Sequence, residues 1–222
     1  NIQMVSGPVN FHKRQGWFQQ LQALEFASLI GSGAGAIGVN NAIFCNGANM
    51  AYRKETFLKL NAFDSDKAVS GDDVFLLHSI KKNYNDGIAF AKEYNAVVTT
   101  DALNSVKAFV NQRKRWTAKS SGYKDMATIL ASILVLFTNL FLIVLFILML
   151  YNTSYSSLFI YYLLLKFAID IVILIPILNF FKRLDLIKWI LPFELFYSMY
   201  IVLIVILSFT KTFEWKGRTH KK

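Results

Sequence analysis

The chain has 222 residues, 55% of them hydrophobic, and a mean hydropathy of +0.39, values that together exclude one ordinary soluble domain. A formal net charge of +10 admits nucleic acid, anionic lipid or a phosphorylated substrate as partner. No basic face or nucleic-acid motif accompanies the charge, which sets nucleic acid aside, and the single cysteine, Cys45, excludes an intrachain disulfide.

The apolar residues are unevenly spread. Over residues 1–125 charges recur regularly and apolar runs are short; after residue 126 long charge-free stretches dominate. This predicts a soluble part, 1–125, followed by a membrane part, 126–222. Residues 4–11 read as a strand and 16–30 as a helix, with Trp17, Leu21, Leu24 and Ser28 near one face. The glycine-rich stretch 31–38 reads as a flexible loop. Short strands are expected at 42–45 and 48–52 around Asn46-Gly47, then helices at 54–60 and 72–83. The second of these carries Val74, Leu77 and Ile80 at core spacing, with Asp72 near its positive N-terminus. Strands at 88–91 and 96–100 and a helix at 104–116 complete a mixed α/β layer arrangement.

A helix crossing about 30 Å of hydrocarbon needs about 20 apolar residues. Residues 126–150 qualify without a single charge; 156–178 qualify but carry Lys166, Asp170 and Pro176; a third segment, 189–209, holds Pro192 and Glu194 near its start. With the soluble part in the cytosol, Asn152 faces out and Lys182, Arg183 and Lys188 return inside, as the positive-inside rule prefers. A third crossing would leave Lys211, Lys216, Arg218, Lys221 and Lys222 outside, so the tail Trp215-Lys216-Gly217-Arg218 is expected to return to the cytosolic face. The sequence thus predicts two to three transmembrane helices. Lys166 and Asp170, four apart, fit either a polar path for a glycan or lipid headgroup or a mutually neutralising pair facing another helix.

Two polar groups flank this boundary. Asp72-Asp73 begins a predicted helix; successive helical side chains diverge, so one carboxylate can face a cleft while its neighbour holds an amide or a cation. As an alternative, the pair is a cap and an acidic first turn. Gln112-Arg113-Lys114-Arg115-Trp116 precedes the first long apolar run. Arginine forks match phosphate oxygens, and tryptophan offers a flat face to a sugar. The same residues also suit a juxtamembrane basic patch with an interfacial tryptophan.

Taken together, Gly71-Asp72-Asp73 with Leu76, then Gln112-Arg113-Lys114-Arg115-Trp116, resembles the paired acidic motif and the Q-x-x-R-W motif of membrane-embedded family 2 glycosyltransferases, a group that includes cellulose, hyaluronan and poly-N-acetylglucosamine synthases and ceramide glucosyltransferase. Phe44-Cys45-Asn46-Gly47-Ala48-Asn49 is similar to their acceptor-side loop, and Trp215-Lys216-Gly217-Arg218 to a closing motif of several relatives. The resemblance implies a GT-A fold, here its C-terminal half, and inverting transfer from a nucleotide-diphosphate sugar at the cytosolic face of the inner or plasma membrane. It implies Asp73 as general base, Arg115 with Arg113 or Gln112 on the diphosphate, and Trp116, Asn46, Gly47, Asn49 and Asp72 on the acceptor side. The implied partners are a nucleotide-sugar donor, a glycan or lipid acceptor and membrane lipid. It further implies Mg²⁺ or Mn²⁺, with ligands expected upstream of the segment given; Asp64-Ser65-Asp66 lies on the wrong side of the acceptor loop for that role and reads as a polar turn. On this reading the segment alone is expected to be inactive. Gly33-Ala34-Gly35-Ala36-Ile37-Gly38 fits the letters of a dinucleotide fingerprint but opens no amphipathic helix. A rival reading is a non-catalytic membrane adaptor that recruits anionic lipid or a partner through the basic patch.

Overall fold

The computed structural model describes residues 2–60, 72–120, 122–209, 212–215 and 218–221. In chain order the elements are β1 (Met4–Ser6), β2 (Val9–Phe11), α1 (Trp17–Gly38), β3 (Met50–Tyr52), α2 (Lys54–Leu60), α3 (Asp72–Asn83), β4 (Ile88–Phe90), β5 (Val98–Thr100), α4 (Val106–Ser120), α5 (Met126–Tyr151), α6 (Ser156–Phe180), α7 (Ile190–Ser208), β6 (Thr212–Trp215) and β7 (Arg218–Lys221). An α/β part is followed by a bundle of three long apolar helices.

Residues 4–11 form two strands instead of one. β1 pairs antiparallel with β3 and parallel with β4, whereas β2 pairs parallel with β5 in a separate sheet. The break falls at Gly7-Pro8, where proline has no N–H to give a ladder. The side chain of Asn49 occupies the break: its Nδ2 donates to the carbonyls of Pro8 at 2.9 Å and Ala96 at 2.7 Å. Gly7 donates to the Asn49 carbonyl at 2.7 Å, and a Cβ on Gly7 would collide with the Asn49 side chain. Residues 42–45, expected as a strand, are not one; only β3 forms in that region.

The largest departure from expectation is α1, which continues without interruption through the glycine-rich stretch 31–38. Each interior glycine costs about 1 kcal/mol relative to alanine. Tertiary packing offsets that cost. A Cβ on Gly31 would stand 3.3–3.4 Å from Ile173 and Ile177 of α6, and one on Gly33 would stand 3.0 Å from the Phe44 ring. Small residues here let two helices approach closely. The stretch is therefore helix, in contact with α6 at Gly31 and with Phe44 at Gly33, and offers no phosphate-cradling loop. Further up the helix, Gln20 and Gln22 to Ala27 are all buried, so α1 is a core helix with no single apolar face, and Trp17 is exposed. Its buried amides are satisfied: Gln22 bonds both the carbonyl and the N–H of Leu103, at 2.8 and 3.0 Å, and Gln20 accepts from the Trp189 indole.

Two apolar clusters organise the molecule. One joins Met4 of β1 and Ile37 of α1 to Leu76, Leu77 and Ile80 of α3; Leu77 and Ile80 are positions the sequence spacing predicts, and the third, Val74, is buried outside this cluster. The other runs from Val9 and Phe11 of β2 through Leu24, Phe26 and Ile30 of α1 to Leu174, Ile177 and Leu178 of α6. The end of α6 is thus packed into the core of the α/β part. Burial of this kind contributes about 25 cal/mol for each Å² of apolar surface removed from water.

Three helical stretches, 126–151, 153–180 and 184–208, are long and apolar enough to cross a membrane. Leu134, Phe137, Leu150, Ile160, Leu164, Val172 and Phe196 are among their exposed apolar side chains, as a lipid-facing surface requires. Polar contacts join the bundle. Ser198 of α7 donates to Asn139 of α5 at 2.9 Å, and Asn139 is itself buried. Lys166 of α6 pairs with Asp170 at 2.6 Å and with Glu194 of α7. Of the two readings of Lys166 and Asp170, the structure matches the pair facing another helix, with Glu194 as a third member.

Candidate active site

Asp73 is the second residue of α3, where the helix dipole favours an anion. Its Oδ1 accepts from the N–H of Val74 at 2.9 Å and its Oδ2 from the N–H of Gly47 at 3.0 Å. Gly47 belongs to the loop expected to hold the acceptor. A Cβ there would stand 3.1 Å from Oδ2, so glycine is what lets this loop close on the carboxylate. The Cys45 thiol donates to the Asp73 carbonyl at 3.4 Å. Burial, reinforced by the Asp73 charge, pushes that thiol far above its usual range, which makes it a small buried hydrophobe and not a nucleophile. Asp72 is exposed and Asp73 half-buried, the divergence expected of successive helical side chains.

Arg115 of α4 reaches the same neighbourhood. Burial lowers its guanidinium pKa, and the Asp73 carboxylate pulls it back up. Tyr123, in the connection between α4 and α5, feels Asp73 as well. Gly47 and Cys45 thus bond Asp73 directly, Tyr123 packs on Phe75 and His78 of the same helix, and Arg115 shares the electrostatic field of the Asp73 carboxylate.

Arg113 lies elsewhere. It is 4% exposed, and its Nη2 pairs with Glu25 Oε2 of α1 at 2.6 Å while its Nε contacts both Glu25 oxygens and the Tyr200 hydroxyl of α7. The guanidinium lies 4.5 Å from the Phe109 ring centroid and 4.2 Å from that of Trp116. Burial alone would lower its pKa; Glu25 and Tyr200 outweigh that and hold it above its ordinary value. Gln112 accepts from Arg113 Nη1 at 2.7 Å. Trp116 packs on Phe26, ring centroids 6.4 Å apart, as well as on Arg113. Arg113 therefore ties α1, α4 and α7 together, with its donors directed into the protein. The surface basic patch of the adaptor reading loses this member to the interior.

Asn46 builds its own turn: its Oδ1 accepts from Ala48 N–H at 2.9 Å and its carbonyl from Asn49 N–H at 3.1 Å. That turn presents Gly47 to Asp73. Asn49 laces β2 to the segment before β5, as described above, and its amide is committed there. Asn49→Ala is expected to lower folding stability by about 0.5–1.5 kcal/mol, because the Ala96 carbonyl loses its side-chain donor while the Pro8 carbonyl keeps only the Val98 N–H. Chemical denaturation of the solubilised protein checks this; an unchanged midpoint contradicts it.

Glu25, Tyr200 and Tyr123 were missed in the sequence. One signal for Glu25 was present: it is the single charged residue of α1, facing a chain whose basic cluster has no acid beside it. Gly71, residues 64–66 and residues 216–217 lie outside the described residues, so the polar turn and the closing motif are not placed. Among the described residues no three His, Cys, Asp or Glu side chains converge as a metal-binding group. The resemblance places the ligands of its divalent cation upstream of this segment.

No curated protein matches the chain. The family model described as Glycosyl transferase family group 2 matches residues 1–215, a span that includes both Asp73 and the Gln112 to Trp116 motif. With nearly the whole chain matched, and an α/β part joined to three apolar helices as its fold, the protein belongs to glycosyl transferase family group 2.

Proposed function

We propose that the protein transfers a sugar, with inversion, from a nucleotide-diphosphate donor to a hydroxyl of a polysaccharide or lipid-linked acceptor, with Asp73 as the base. The observation that carries this reading is the carboxylate of Asp73, held by Gly47 of the acceptor-side loop within the electrostatic reach of Arg115. A base must sit within hydrogen-bond reach of the proton it takes, and a leaving group needs a cation where its charge develops. In the proposed step the acceptor oxygen attacks the anomeric carbon while its proton passes to Asp73. The bond from that carbon to the diphosphate oxygen breaks, and the pair of electrons leaves on the nucleoside diphosphate, faced by Arg115. Gly47 orients the base through its N–H, Asp72 stands beside it on the acceptor side, and the Asn46 turn sets the position of Gly47.

Arg113, Gln112 and Trp116 take a different part in this proposal from the one the motif suggests. Their side chains brace α4 against α1 and α7, so that Arg115, two residues along the helix, is presented at a fixed position. Support for a cytosolic catalytic side comes from the chain's charges. Lys124 precedes α5, and Lys182, Arg183 and Lys188 lie between α6 and α7, the ends of the bundle nearest the α/β part.

A panel of nucleotide sugars offered to membranes containing the full-length protein tests the reading. One donor is expected to be consumed with release of its nucleoside diphosphate and appearance of the sugar in glycan or lipid. Release of no nucleoside diphosphate from any donor contradicts it.

A further inference from the structure

Tyr123 stands in the short connection between α4 and α5, and two residues of this connection, Tyr123 and Asp125, contact α3. The Tyr123 N–H donates to the Ser120 carbonyl at 3.2 Å. Two residues later Asp125 caps α5 through the Thr128 N–H at 2.9 Å and pairs with Lys81 of α3 at 2.8 Å. The tyrosine ring meets Phe75 and His78 of α3 edge-on, at centroid separations of 5.6 and 5.4 Å. His78 is fixed in turn: its Nε2 lies 3.0 Å from the Ile43 carbonyl, at the start of the acceptor-side loop, and 3.0 Å from the Thr128 hydroxyl. Contact with the Ile43 carbonyl requires Nε2 to carry the proton, and burial favours the neutral ring.

The body of Tyr123 is therefore held against α3, while its hydroxyl end lies within the field of Asp73 and Cys45. Among the described residues this hydroxyl has no hydrogen-bond partner, whereas the Gly47 N–H and the Cys45 thiol are both engaged with Asp73. Burial and the neighbouring carboxylate hold the phenol above its ordinary range, so it stays a neutral donor around pH 7. A neutral donor beside the acceptor-side loop suits an uncharged sugar oxygen; the diphosphate has Arg115.

We propose that Tyr123 is an acceptor-binding residue, whose hydroxyl donates to a hydroxyl or ring oxygen of the acceptor glycan or glycolipid and so steadies the attacking hydroxyl against Asp73. This rests on the function proposed above. Tyr123→Phe keeps the ring contacts with Phe75 and His78 and removes only the donor. In the full-length enzyme it is expected to raise the acceptor KM about three- to tenfold, the range for one uncharged hydrogen bond, with donor KM and kcat within about twofold. Asp73→Asn is assayed alongside. If Asp73→Asn is inactive and Tyr123→Phe leaves the acceptor KM unchanged, Tyr123 is a packing residue and the proposal falls alone. A fall in kcat at unchanged acceptor KM overturns it too. If Asp73→Asn retains full activity, the functional reading itself falls. Tyr123→Ala removes the ring as well; if that variant does not accumulate, the phenylalanine variant carries the test.

Discussion

Asp73→Asn is expected to lower sugar transfer by about 10² to 10⁴, the usual contribution of a positioned base, while leaving the protein folded and inserted. The substitution is nearly isosteric. An asparagine carbonyl can still accept from one of the Gly47 and Val74 N–H groups, which donate to different oxygens of the native carboxylate, while its amide nitrogen loses the other bond, a loss of about 0.5–1.5 kcal/mol that leaves α3 and the acceptor-side loop folded. What is lost is the capacity to take a proton from the acceptor. The first turn of α3 also loses a negative charge at its positive end, worth about 0.3–1 kcal/mol, too little to unfold the helix. Initial rates of nucleoside diphosphate release at saturating donor and acceptor measure the effect. Activity within threefold of wild type would remove Asp73 from the role of base.

The second large effect concerns stability. Glu25→Ala or Arg113→Ala is expected to destabilise the protein by about 3–5 kcal/mol, because each leaves the other's charge buried and uncompensated. The 2.6 Å pair is 5% exposed on both sides, and the contacts to Tyr200 mean that three helices lose their common tie. Thermal unfolding in detergent should register this as a drop of several degrees or as loss of the folded protein. Replacing both residues by apolar ones of similar volume, Glu25→Leu with Arg113→Met, is expected to recover much of the loss. If Arg113 instead held the donor's diphosphate, Arg113→Ala would leave the melting temperature alone and raise the donor KM. Glu25→Ala would then do neither. The two accounts separate on a single pair of variants.

What could be read from the chain divides along a physical line. α2 and α3 form at the expected residues, and the three apolar helices within a few of theirs, because caps, periodicity and hydrophobic length are local signals. The continuation of α1 through residues 31–38 was not local. Its packing involves Ile173 and Ile177, far along the chain, against which a Cβ at Gly31 would be crowded. The strand over 4–11 was placed correctly but not its division, which follows from Pro8 together with a side chain at Asn49 that the local pattern does not reveal. At the site, residue types and motif order point to Asp73, Gly47 and Arg115; the structure joins Gly47 to Asp73 by a hydrogen bond, and Arg115 lies within the electrostatic reach of that carboxylate. Arg113 carried the same motif and the same side-chain chemistry as Arg115. Its destination is set by Glu25, 88 positions away, and nothing in a basic pentapeptide distinguishes a guanidinium bound for the interior from one bound for a ligand.

The proposed function requires the Asp73 carboxylate and the Arg115 guanidinium to face one bound donor, and nucleoside diphosphate affinity tests that most directly. Calorimetric titration of the purified full-length protein should show Arg115→Ala binding the diphosphate product at least about tenfold more weakly, since a charge-assisted phosphate contact is lost. Asp73→Asn should bind it as tightly as wild type or more so, because a carboxylate near the phosphates has been neutralised. Arg115→Ala with unchanged affinity, or Asp73→Asn with affinity as poor as Arg115→Ala, would contradict the account.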